Sequence, residues 1–289
     1  MLTDLFRAFD ATDGQVDKQK AVTPDLLRDM ARSYEELGEV ARHTADLTVG
    51  AYFFAMRACE FCRTPRRGKT RLLEIENIQF RDRKKRVAGH DDPDLLRKAY
   101  YVTITFVDQK NGEKFEKRTQ PRSGRKWLCP VRAWARAVRR ARRNREADDK
   151  GSGAVCTIMS PDGEETTVTS QRVVQSLQST CQLFGGTNTY GFHPHELGAK
   201  SIRSGAAMNL SLSKRYQGDE IMVLGRWKSM AFLAYIRPQA LEWTALMARD
   251  MAQPRSFLDL AYKEIARPRG AGRNPDDDMG IMMSPPRRR

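Results

Sequence analysis

One stretch restricts the fold of this chain more than any other. From Tyr100 to Val107 the apolar residues Val102, Ile104 and Phe106 alternate with polar ones, Asn111-Gly112 follows, and a return run covers Lys114 to Thr119. A period of two marks a strand with one buried face, and Asn-Gly supplies the positive φ that a tight hairpin turn requires. Another β-rich run, Leu72 to Phe80, precedes it. Nearly everything else has helical character. Thr23-Pro24 is a cap followed by a proline suited to the first helical position, and Leu26, Leu27, Met30 and Leu37 keep a helical period after it. Ala45 to Cys62 is apolar almost all round, which predicts a single buried helix. Further helices are expected over Pro130–Arg145 and Thr169–Phe184, and at about Glu196–Ser213, Gly218–Leu224, Met230–Arg237 and Gln239–Ile265, with Gly151-Ser152-Gly153 as a loop. The expected class is therefore α+β, mostly helical with one small antiparallel sheet. Residues 1–22 read as a short arm, 23–266 as the folded domain and 267–289 as a disordered basic tail.

Charge is the second constraint. The chain has 51 Lys and Arg against 36 Asp and Glu, a net +15. Between Arg63 and Arg145 there are 26 basic and nine acidic residues, a local excess of 17, so the remainder nets −2. Charge kept only for solubility would be spread more evenly. So concentrated a block fits nucleic acid, where each neutralised phosphate releases counterions; a solvated face of a highly charged protein is the alternative. Arg132, Arg136, Arg139, Arg140 and Arg143 lie on the arginine-rich helix and are expected to track a DNA backbone. Arg83-Lys84-Lys85-Arg86 fits a nuclear-import patch or phosphate contacts equally well. No apolar run approaches the ~18 residues of a membrane span, and the N-terminus lacks the profile of a signal peptide. The cysteines show no framework spacing, which suits a reducing compartment. Cys59-Glu60-Phe61-Cys62 lacks a second pair at zinc spacing, and nothing completes a metal site around His193-Pro194-His195.

Several residues, all but Lys110 outside the basic block, invite chemistry. Arg57 falls in the helix expected to be buried, where a guanidinium needs a partner, and Glu60 three residues on is the ready one; a structural ion pair explains both equally well. Lys110 sits at the hairpin tip, where a lysine is usually only solvated. Arg203 lies in the small-residue run Ser201-Ile202-Arg203-Ser204-Gly205-Ala206-Ala207, which lets a backbone approach something closely, a phosphate being one choice. Tyr235 sits in Ala231-Phe232-Leu233-Ala234-Tyr235-Ile236-Arg237, where a core tyrosine is the ordinary reading.

In order, these residues resemble the pattern of the tyrosine recombinase (phage integrase) family: Arg-x-x-Glu, a hairpin Lys, His-x-x-Arg, His or Trp, then a Tyr nucleophile. Arg57 and Glu60 match the first element, Lys110 the second, and Arg203 the second arginine. Trp227 matches the His/Trp position, 24 residues past Arg203, and Tyr235 the nucleophile, 32 past it. The wording is nearest to the Crypton and DIRS-type recombinases of eukaryotic transposons, through Gln109-Lys110-Asn111-Gly112, Cys129-Pro130-Val131-Arg132-Ala133-Trp134, Ser201-Ile202-Arg203-Ser204-Gly205 and Gly225-Arg226-Trp227.

The resemblance covers residues 23 to 250 and departs from the family in two places. The family's histidine falls on Lys200, which can donate to a phosphate but is no neutral imidazole; His193 and His195 lie five to seven residues upstream. Only 22 residues precede the region of resemblance, where the family has a helical DNA-clamping domain.

What the resemblance implies is attack of Tyr235 on a scissile phosphate, Arg57, Lys200 and Arg203 on its oxygens, Lys110 as general acid, Trp227 beside the nucleophile, and Glu60 holding Arg57. It implies no metal or cofactor, a double-stranded DNA partner, a homotetramer on that DNA, and a nuclear location in a eukaryote or a cytoplasmic one otherwise. A non-catalytic DNA-binding remnant and a type IB topoisomerase-like relaxing enzyme are the other readings.

Overall fold

A computed structural model describes residues 19–65, 70–109, 112–145, 153–213 and 215–228, all within the unit Met1–Arg237. Lys110, Tyr235, the helices expected beyond 229 and the termini 1–18 and 267–289 lie outside the described residues.

The first helix, α1 (Pro24–Ser33), begins where its sequence signals it. The Thr23 hydroxyl accepts from the Leu26 amide at 3.2 Å, Pro24 occupies the first turn, and Leu26, Leu27 and Met30 are buried. Helix α2 (Glu39–Phe53) is the buried one, with every residue from His43 to Tyr52 in the interior. It does not run on to Cys62 as its apolar content predicts. The chain turns after Phe53, Ala55 takes a left-handed φ of 45°, and a separate four-residue helix α3 (Ala58–Phe61) follows.

The sheet has order β2-β1-β3-β4, all antiparallel: β1 (Ile78–Arg81), β2 (Val87–Ala88), β3 (Tyr101–Asp108) and β4 (Lys114–Pro121). The hairpin pairs Ile104 with Arg118 and Thr103 with Thr119, whose hydroxyls bond at 2.8 Å on the polar face. Val102, Ile104 and Phe106 point into the core, as the alternation requires. Gly112 has φ 82° and returns its amide to the Gln109 carbonyl at 2.9 Å, closing the expected turn. The run from Leu72 is strand only from Ile78. A 3-10 turn occupies Ile75–Asn77 because the Glu74 and Asn77 side chains cap each other's backbone reciprocally. Helix α4 (Pro93–Lys98), absent from the sequence reading, is capped by the Asp92 carboxylate, which accepts from the Asp94 and Leu95 amides.

Helix α5 (Pro130–Arg142) packs along α2. The axes approach closely because Gly50 faces the Trp134 ring; a Cβ there would lie 2.6 Å from Trp134 Cε2. A two-stranded ribbon, β5 (Thr157–Met159) and β6 (Glu165–Thr167), leads to α6 (Ser170–Leu183), the short α7 (Gly186–Tyr190), α8 (Ser201–Leu212) and α9 (Gly218–Gly225). Residues 19–22 are not a free arm. The Lys20 and Val22 amides donate to the carbonyls of Glu196 and Ser201, at 2.8 and 3.0 Å. The observed class is α+β, helices around one small antiparallel sheet, as the sequence predicts.

Candidate active site

The site is organised by the premature end of α2. A helix terminus leaves carbonyls without partners and concentrates negative partial charge. Here two buried guanidiniums fill that role: Arg203 Nη1 donates to the Ala55 carbonyl at 2.5 Å and Arg226 Nη1 to the Phe54 carbonyl at 2.9 Å. The turn at Ala55 also makes Arg57 the residue that caps α3, rather than a residue inside a long helix.

Arg57 and Glu60 pair as expected, and more tightly than helical spacing alone provides. The Glu60 carboxylate accepts from the Arg57 amide at 2.8 Å and from Arg57 Nη1 at 3.0 Å. Its side chain is 2% exposed, while that of Arg57 keeps 25% of its surface open. Arg57 is thus held from behind and presents the rest of its fork outward. The same carboxylate accepts from Arg226 Nη2 at 2.7 Å.

Arg203 projects from α8 and is buried; its Nη2 donates to the Gly225 carbonyl at 2.5 Å, and its guanidinium lies 4.2 Å from the centre of the Trp227 ring. Trp227 reaches that position because Arg226 takes a left-handed φ of 57°, turning the chain, and because a side chain at Gly225 would fall within the Trp227 indole. The Gly-x-Trp wording therefore has a steric cause. So does Gly205, where a Cβ would collide with the Val22 carbonyl oxygen. The small-residue run of α8 accommodates residues 19–22 at this point, not a phosphate.

Arg57, Glu60, Arg203 and Trp227 are thus gathered around one helix end, although they come from separate parts of the chain. Arg226 joins them and was missed in the sequence, where it served only as wording within a motif. Its side chain is 0% exposed. Burial pulls its pKa below the ordinary guanidinium range, opposed by Glu60 and reinforced by Arg57; even so a guanidinium stays protonated. Gln109 was missed too. Buried at the hairpin root, it accepts from Arg226 Nε at 2.9 Å and donates to Glu116 at 2.6 Å. The usable signal was an arginine ending an otherwise apolar helix directly after a glycine. With three guanidiniums (Arg57, Arg203, Arg226) against the single carboxylate of Glu60, the cluster carries a net +2 and attracts anions.

Among the described residues, Lys200 and the two histidines stand apart from this cluster. Lys200 is exposed and precedes α8, its amide bonded to Gln19 Oε1 at 2.9 Å; among the described residues it joins none of the bonds that build the cluster. His193 and His195 stack on each other at 5.3 Å, and His193 Nδ1 bonds the Thr187 hydroxyl at 3.0 Å. Cys59 and Cys62 are free thiols, and burial pushes Cys62 well above the ordinary thiol range.

The arginine helix divides into two faces, a correction to its reading as one phosphate-tracking row. Arg136 forks onto the buried Asp46 carboxylate, with Nε at 2.9 and 3.0 Å, and Arg140 Nη1 meets the same carboxylate at 2.7 Å. Burial opposes both charges. The hydrogen bonds and charge of Asp46 outweigh it at Arg136, whose pKa is raised, but not at Arg140, whose pKa is lowered. Asp46 sits inside a buried helix and needs these partners, so Arg136 and Arg140 are committed inward. Arg132, Arg139 and Arg143 are exposed, Arg143 within 2.9 Å of Glu39.

No family model and no curated protein sequence matches the chain. Among solved structures it is similar to the XerH site-specific recombinase bound to its difH substrate, with a TM-score of 0.46, 14% identity, and coverage of 81% of this chain and 56% of that one. It is also similar to the Tn1549 transposon integrase in complex with a circular intermediate DNA, with a TM-score of 0.45, 11% identity, and coverage of 84% and 69%. The chain thus spans little more than half the length of the XerH protein.

Proposed function

We propose that this chain cleaves and rejoins double-stranded DNA as the catalytic domain of a tyrosine recombinase, through a covalent 3′-phosphotyrosyl intermediate. One observation carries the reading: Arg57, Glu60, Arg203 and Trp227, chosen from separate motifs in the recombinase order, converge on one cationic cluster around the end of α2. In the proposed chemistry the Tyr235 oxygen attacks the scissile phosphorus, and the 5′-oxygen leaves with a proton from Lys110. Arg57 supplies the open fork to a non-bridging oxygen. Arg203, with each Nη already on a carbonyl, contributes from behind as a fixed positive charge. The bond energy is kept in the phosphotyrosine, so rejoining runs the same step backwards without a nucleotide. Assembly as a homotetramer on DNA, an origin in a transposon-like element of the Crypton or DIRS type and a nuclear site of action belong to the same proposal.

The test is covalent trapping on a nicked suicide duplex. Wild-type protein forms an adduct, and Tyr235→Phe abolishes it while retaining DNA. Absence of a wild-type adduct sinks the proposal. A second reading, a DNA-binding remnant without catalysis, is favoured by one feature: the exposed Lys200 at the family's histidine position. It predicts salt-sensitive DNA retention with no nicking of supercoiled plasmid.

A further inference from the structure

We infer that Arg226 is a positioning residue that fixes the hairpin carrying Lys110 against the Arg57–Glu60 pair. The inference rests on the proposed reaction and deepens it.

The Arg226 guanidinium is wholly enclosed, yet it has a donor for each of three chain regions. Nη1 reaches the Phe54 carbonyl at the end of α2, Nη2 reaches Glu60 on α3, and Nε reaches Gln109 at 2.9 Å. Its flat face lies 3.7 Å from the centre of the Phe106 ring on β3. Gln109 directly precedes Lys110 in sequence, and its other amide atom is tied across the hairpin to Glu116. Two neighbours of Arg226 grip the same hairpin. Arg118 donates to the Val223 carbonyl at 2.7 Å, and Lys228 meets Glu113 at 3.1 Å. A continuous chain of hydrogen bonds therefore runs Arg57–Glu60–Arg226–Gln109–Glu116.

Burying a guanidinium is a poor way to gain stability, since apolar replacements of buried ion pairs are often neutral or better. What the planar fork provides is a fixed geometry among three backbone segments, which an ammonium lacks the shape to reproduce. The geometry it sets is that of the hairpin root at Gln109, the residue next in sequence to the general acid of the proposed reaction, for which an error of about 1 Å can cost about a hundredfold in rate.

Comparing two leaving groups tests this. On an ordinary duplex the departing 5′-oxygen needs a proton; with a 5′-bridging phosphorothiolate the sulfur leaves as a thiolate without one. Arg226→Lys is expected to lower single-turnover cleavage at saturating DNA by about a hundredfold on the oxygen substrate and by less than about fivefold on the sulfur substrate. DNA retention should stay within about twofold of wild type. Gln109→Ala, which leaves α2 and α3 untouched, should show the same split should Arg226→Lys fail to fold. Asp46→Asn, which breaks a buried pair away from the site, should lower Tm without changing the ratio of the two rates. Equal losses on both leaving groups, or none, overturn the inference.

Hydrogen exchange separates its failure from that of the function. Faster exchange across 105–117 in DNA-free Arg226→Lys supports the anchoring whatever the reaction. Unchanged exchange overturns it even where wild type cleaves. Wild type that forms no adduct on either substrate overturns the proposed function, and the positioning role with it.

Discussion

At the scale of single residues, the site depends on two positions where a side chain either must be absent or must be an arginine. Gly225 lets the Trp227 indole fold back over the chain and stack on Arg203. Gly225→Ala forces that ring out, with an expected stability loss of about 1–3 kcal/mol from overpacking; a lower Tm together with a changed near-UV tryptophan signal would verify it, and an unchanged signal would refute the stacking. Arg226 adopts a left-handed φ of 57°, a conformation that costs a non-glycine residue about 1 kcal/mol or more. The compensation is visible in its bonds to Glu60, Gln109 and Phe54. Arg57 differs from both other arginines in keeping an open side, so Arg57→Ala is expected to reduce adduct formation more than it reduces Tm. Arg203→Ala should reduce both, because Arg203 also caps the Ala55 carbonyl.

At the scale of elements, the arginine helix separates structural charge from surface charge. Arg140→Met leaves Asp46 paired with Arg136 alone and removes one charge-assisted hydrogen bond from the interior, an expected loss of about 1.5–3 kcal/mol; chemical denaturation measures it. Arg132→Gln and Arg139→Gln together should leave Tm unchanged and lower the salt slope of DNA retention by roughly 2, about 0.9 per phosphate contact. Equal stability losses from both sets would show that the two faces are not distinct. The hairpin behaves differently again. Its strands and turn were readable because the alternation and the Asn-Gly turn are local properties of about twenty residues. The break in α2 was not readable. Its apolar run favours continuation, and the turn is held by arginines far along the chain, Arg203 being 148 residues from Ala55.

At the scale of the whole molecule, the basic excess is less available than a count of charges suggests, since Arg136 and Arg140 are turned inward. Stability also carries a pH signature from inside the core. His43 is buried on α2, its Nε2 2.9 Å from the Val155 carbonyl, and burial, with the nearby Arg140 charge, lowers its pKa to about 3. An unfolded histidine titrates at about 6.5. Between these values the unfolded chain binds a proton that the folded one does not, so stability falls as pH drops through about 6.5 toward 3. The slope due to this group approaches 1.4 kcal/mol per pH unit. Urea titrations at pH 7 and pH 5 measure it, and His43→Gln should flatten the difference; a slope that survives the substitution assigns it to other groups.

Local signals are enough for some elements: the start of α1 at Thr23-Pro24, the hairpin, the helical character of α5 and α6, and the pairing of Arg57 with Glu60 across one turn. The α+β class follows from them too, because a period of two enclosed between helical stretches admits little else. Which arginines face inward and which remain open follows from long-range packing. Arg136 and Arg140 find Asp46 at separations of 90 and 94 residues, and Arg226 finds Glu60 at 166. A charge in a sequence carries no label for its partner; that is fixed when distant segments pack and a buried carboxylate must be neutralised by whichever cation reaches it.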